Sequence, residues 1–155
     1  MKKRLGLTIS FLAICLPLFA GLASEKALYI GGTVSALKED TEGTISTKDE
    51  KLLVFAFKKN QQFTIPYDRI NSLEYGQKAG RRLGLAIAVT PVALLSKKRR
   101  HYLTINFLDE NDKQQAAVFE LGKNVVRVTL SSLEARTGRK IEYQDEEARN
   151  SSKGN

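Results

Sequence analysis

The sequence predicts an α+β, mainly β domain: six to seven short antiparallel strands closed by a C-terminal helix. Two blocks of period-2 alternation carry that reading, one from Thr44 to Tyr75 and one from His101 to Leu121, each broken by polar turns. The spacing of apolar residues then changes to that of a helix. Between the blocks, at about 81–96, lies an apolar insert with basic residues on both sides.

Residues 1–23 stand apart. Lys2, Lys3 and Arg4 form a basic start, an apolar run follows to Leu22, and Gly21 and Ala23 are small residues placed for cleavage before Ser24. This is the pattern of a secretory signal peptide; an uncleaved anchor is the alternative, since the run is just long enough to span a bilayer. Cys15, the only cysteine, lacks a small residue before it and the apolar run continues past it, which argues against lipidation. Removing the segment lowers the net charge of +8 by three and leaves a cysteine-free chain. Without disulfides, a hydrophobic core must hold the fold. At 155 residues, 42% hydrophobic and 27% charged, the chain has the composition to build one.

Residues 24–42 read as an N-terminal strand and loop, with Gly31-Gly32 marking a bulge or bend. The main domain spans 43–143. In 51–57 the large residues Leu53, Phe55 and Phe57 share a face. After the turn at Lys58-Lys59-Asn60-Gln61, Phe63, Ile65 and Tyr67 alternate with polar residues, and Pro66 marks an edge or an end. A strand at 69–75 reads as bulged near Asn71. In the second block Leu103, Ile105 and Phe107 face one way, and Ala117, Phe119 and Leu121 line the return strand. Asn124 is placed to cap a helix carrying Val126, Leu130 and Leu133, with Gly138 as its stop. Ile141 to Tyr143 can add a short strand. Residues 144–155 are polar and read as a disordered tail.

The insert, counted with its basic flanks as 81–100, holds 13 residues, 83–95, whose only hydroxyl is Thr90. As a helix it rises about 20 Å, short of a hydrocarbon core of roughly 30 Å, and Pro91 interrupts it. Two readings stand. It packs on its own sheet, or it lies in a membrane interface with Leu85, Ile87, Val92 and Leu94 among the acyl chains. In the second, Arg81, Arg82, Lys97, Lys98, Arg99 and Arg100 sit on anionic headgroups at about 1 kcal/mol each.

The stretch 43–75, with Ile65-Pro66-Tyr67-Asp68-Arg69-Ile70, resembles the strand-turn-strand part of bacterial pleckstrin-homology-like (PH-like) and GRAM-like domains. His101-Tyr102-Leu103-Thr104-Ile105, Val118-Phe119-Glu120-Leu121 and the helix with Leu133-Glu134-Ala135-Arg136-Thr137-Gly138 resemble the closing half. The resemblance covers about 43–143 apart from the insert, which a minimal PH-like barrel does not need. It implies a binding or scaffolding barrel, often membrane-associated and rarely an enzyme.

Residues with chemistry are few. His101 is the only histidine and, next to Arg99 and Arg100, reads as a surface strand residue rather than a base. With no second histidine and no cysteine outside the leader, a zinc site has no ligands. Asp109, Asn111 and Glu120 coincide with calcium-loop positions, but Lys113 and Gln114 break the loop. Lys58 and Lys59 lack the supporting basic residues of a headgroup site, because Gln62 and Thr64 stand on the next strand. No catalytic residue, cofactor or metal is therefore expected. The expected function is that of an exported, non-enzymatic module binding an anionic membrane surface; a soluble envelope scaffold binding another envelope protein is the alternative. Export argues against nucleic acid as a partner.

Overall fold

The computed structural model describes residues 25–78 and 100–153. Eight strands form one sheet: β1 (Lys26–Gly32), β2 (Thr41–Ser46), β3 (Leu52–Phe57), β4 (Gln61–Pro66), β5 (Ile70–Gly76), β6 (His101–Leu108), β7 (Gln114–Leu121) and β8 (Ile141–Tyr143). Their order across the sheet is β4-β3-β2-β1-β7-β6-β5-β8. All neighbours are antiparallel except β5 and β8, which run parallel. The α+β, mainly β class is therefore correct. The strand set apart by the sequence, β1, is central and joins the two alternating blocks by pairing with both β2 and β7.

The sheet cannot be flat. Laid flat, β4 and β5 would stand six strand spacings apart, about 29 Å. They are connected only by the 3-10 turn Tyr67–Arg69, which spans about 14 Å at full stretch. The sheet curls, and its inner face meets itself. Phe55 on β3 lies 5.0 Å, centroid to centroid, from Phe119 on β7. Phe63 on β4 lies 6.2 Å from Phe107 on β6. Tyr29, Ile45, Leu53, Ile65, Leu73, Tyr75, Leu103 and Ile105 belong to the same core.

Gly31 and Gly32 form the expected irregularity: the β1–β7 register shifts between Tyr29 and Gly31. At Gly32, φ is +145°, and a Cβ would come within 2.2 Å of the Ala116 carbonyl oxygen, so only glycine fits. The Asn71 irregularity is also present, as a register shift between Ile70 and Ser72. At the β3–β4 turn, Lys58 and Asn60 adopt positive φ and are exposed.

Helix α1 (Val126–Thr137) turns Val126, Thr129, Leu130 and Leu133 inward, and ends at Gly138 in the left-handed region, φ 68°. Asn124 does not cap it. A 3-10 turn, Lys123–Val125, precedes the helix and is held by the Val125 amide donating to the Gly122 carbonyl. The tail expected to be disordered from 144 onward is instead ordered over a second helix, α2 (Glu146–Ser152). The Asp145 carboxylate caps it by accepting from the Ala148 amide at 2.7 Å, and Ala148 is fully buried in the core. Two small buried residues, Ala148 and Ser152, and a good cap suffice for a two-turn helix whose other residues are polar.

Candidate functional site

The end of the sheet where β5 finishes and β6 begins collects the unusual side chains. Gly76 pairs with Tyr102, so the chain leaves and re-enters the sheet on adjacent strands. On the leaving side, the Gln144 side-chain amide donates to the Lys78 carbonyl at 3.0 Å. On the returning side, Arg100 makes two hydrogen bonds to the Glu120 carboxylate, at 3.0 and 2.7 Å. That carboxylate pushes the guanidinium pKa further up. Of the ten residues expected to contact a membrane, Arg100 alone lies within the described residues, and its charge is engaged inside the molecule. Arg81, Arg82, Leu85, Ile87, Val92, Leu94, Lys97, Lys98 and Arg99 lie outside them.

Beside this point, on the inner face, is a polar cluster that the sequence reading missed. His101 is no bare surface residue: it is half-buried, and its Nδ1 lies 2.5 Å from the Tyr75 hydroxyl. Burial, reinforced by the charge of Lys123, holds the imidazole pKa below its usual value; Glu120 acts the other way. Burial likewise raises the Tyr75 phenol. The same hydroxyl lies 3.3 Å from Ser151 Oγ on α2. Ser151 donates to the Ala148 carbonyl at 2.8 Å, so its proton is committed to its own helix. The trio latches α2 to the sheet and does not aim an activated hydroxyl at a cleft. Its signal was available in the sequence, since His101 has the same parity as the inward-facing Leu103, Ile105 and Phe107.

The outer face of β1, β7 and β6 is the second unexpected feature. One row across it reads Glu42, Leu28, Glu120, Tyr102. Leu28 and the two carboxylates line an open groove of about 580 Å³, bordered by Lys26 and Thr44. Deeper into the face, Ile30, Tyr102, Ala116 and Val118 are each at most 3% exposed, yet none belongs to the inner core. The Tyr102 hydroxyl is buried without a hydrogen-bond partner among the described residues, and burial raises its pKa, with Glu120 adding to the effect.

Elsewhere the polar residues organise turns. The Asp109 carboxylate accepts from the Asn111 and Lys113 amides and from the Gln115 side chain. That makes it the centre of the β6–β7 turn, and Glu120, at the far end of β7, is spent on Arg100. Among the described residues, no group of three or more His, Cys, Asp or Glu could hold a metal ion. No described helix is long and apolar enough to cross a membrane. Neither a protein-family model nor a curated protein matches the chain.

Proposed function

We propose that the chain is a non-enzymatic binding module on a PH-like barrel, exported from the cytoplasm, that associates with an anionic membrane surface through the basic-flanked segment 81–100. The observation that carries the reading is the pairing of Gly76 with Tyr102. Arg81 and Arg82 lie three and four residues from Lys78, and Lys97, Lys98 and Arg99 lie within three of Arg100. At about 3.5 Å per residue, all five cations are tethered within about 21 Å of one end of the sheet. Five such groups at about 1 kcal/mol each suffice for measurable binding to an anionic surface at low salt. The continuous antiparallel order from β4 to β5, the forced curl and the closing helix α1 support the barrel. The basic start, apolar run and small residues at 21 and 23 support export. The engaged state of His101, Ser151 and Asp109 supports binding rather than catalysis.

Co-sedimentation tests this. The exported protein should pellet with vesicles of phosphatidylglycerol and phosphatidylcholine and stay in solution with phosphatidylcholine alone. Failure to pellet with either would leave the scaffold reading, in which the partner is another envelope protein.

A further inference from the structure

The two ends of the strand order differ in what they offer a neighbour. At one end, β8 is three residues long and carries Glu142. At the other, β4 runs six residues, Gln61-Gln62-Phe63-Thr64-Ile65-Pro66, without a charge and in unbroken register with β3. No described strand lies on its other side. Proteins commonly blunt such an edge with a lysine, a bulge, a proline or sheer brevity. Here only the terminal Pro66 does so.

The ladder decides which backbone groups face outward. The Tyr67 amide donates to the Lys51 carbonyl, which makes that pair a hydrogen-bonded one. Antiparallel alternation then directs the amides and carbonyls of Ile65, Phe63 and Gln61 to β3. Those of Gln62 and Thr64 point to the open edge. Pro66 is next in the outward series, and its missing N–H fits a position that bonds nothing on β3.

We propose that β4 pairs with β4 of a second copy of this chain, antiparallel about a two-fold axis at Phe63, so that two sheets become one. Using the same strand from both copies gives a closed, isologous interface. Gln62 of each copy faces Thr64 of the other as a hydrogen-bonded pair, which uses every outward amide and carbonyl of the two residues. Phe63, half-buried against Phe107, meets its own equivalent as the closer, non-hydrogen-bonded pair. Charge selects this occupant. Position 58 lies five residues before Phe63 and position 68 five after it, so the two-fold brings Lys58 of one copy toward Asp68 of the other, twice. Both residues are exposed, and neither side chain has a partner among the described residues. Arg69, next to Asp68, is already engaged with Asp112. One strand pair is smaller than a permanent interface, so the association is weak and concentration-dependent. It uses no residue of the basic segment and stands or falls separately from the membrane reading.

Sedimentation equilibrium of the exported protein, without lipid and from micromolar to millimolar concentration, tests the proposal. The parent should pass from monomer to dimer and no further. A protein that stays monomeric throughout, or that assembles beyond the dimer, would overturn it. Lys58→Asp and Asp68→Lys should each weaken the dimer at least about tenfold, because like charges then meet at both contacts. Lys58 has positive φ, a region that aspartate enters readily, so neither exposed substitution threatens the fold. An equimolar mixture of the two variants should dimerise again, since each copy then meets the opposite charge. No recovery in the mixture would overturn the pairing. Thr64→Pro removes an outward amide while leaving the ladder to β3 intact, and should abolish the dimer with little change in the unfolding midpoint. A dimer that survives Thr64→Pro would place the contact elsewhere. If the proline variant fails to fold, the charge-exchange mixture still decides the matter.

Discussion

The two faces of β1, β7 and β6 are built on different terms. Inward, these strands present Tyr29, Leu103, Ile105 and Phe119, and the curl of the sheet itself supplies the other half of the core. Tyr29 meets Phe119 edge-on at 5.7 Å, and burial pushes the Tyr29 phenol up to about 12. Outward, the same strands present Ile30, Ala116 and Val118, smaller side chains beside Tyr102, whose hydroxyl finds no partner among the described residues. The inner face is closed by the domain's own topology. The outer face carries fewer large side chains and shares its rows with Glu42 and Glu120. A strand buried on both faces should read as a nearly continuous apolar run, and Ala116-Ala117-Val118-Phe119 is one.

The comparison can be broken by substitution. Phe119→Ala should have the largest effect, about 3–5 kcal/mol in the unfolding free energy, because large aromatic neighbours cannot collapse into the space left. Chemical denaturation measures it, and a loss below about 1 kcal/mol would mean that the inner face is not the main core. Val118→Ala, next in the chain but outward, should cost about 1.5 kcal/mol, the transfer value of the carbons removed. A Val118→Ala loss as large as that of Phe119→Ala would show that the two faces do not differ in the way described.

Smaller effects sharpen the picture at the β5–β6 end. Arg100 and Glu120 are partly exposed, so a double-mutant cycle between their alanine variants should give a coupling of about 0.5–1 kcal/mol, reduced at high salt. Coupling insensitive to salt would place the pair in a much drier setting. His101 should contribute the smallest term, visible as a slope. Its folded pKa is lowered from 6.5, so the folded state favours the neutral ring. The stability it contributes is complete above pH 6.5 and is lost as pH falls through its folded pKa. His101→Gln should flatten the stability profile on the acid side of 6.5. An unaltered acid limb would show that the ring does not titrate differently on folding.

Much of the fold was legible because short-range periodicity specifies strands, turns and the inward face of α1. The position of β1 at the centre of the sheet was not, since strand order depends on pairings between residues far apart in the chain. Helix α2 escaped because its buried residues, Ala148 and Ser152, are small and one of them is polar, which leaves no apolar stripe among acidic and polar neighbours. At the candidate site, the parity of His101 and the unbroken apolar run in β7 were both readable. Their significance was hidden because a lone histidine beside two arginines reads as exposed. The ion pair of Arg100 with Glu120 joins positions twenty residues apart across a hairpin, and no local pattern marks it.

The most direct measurement of the central claim is vesicle affinity as a function of salt, for the parent and for Lys97→Glu combined with Arg99→Glu. The account predicts that the parent's affinity for anionic vesicles falls steeply with salt and is lost at 1 M, where the Debye length is about 3 Å. It predicts that the charge-reversed protein binds at least about tenfold more weakly at low salt, with an unchanged unfolding midpoint. Binding that survives 1 M salt, or that ignores the charge reversal, would contradict an electrostatic membrane module and point to insertion of the apolar segment itself.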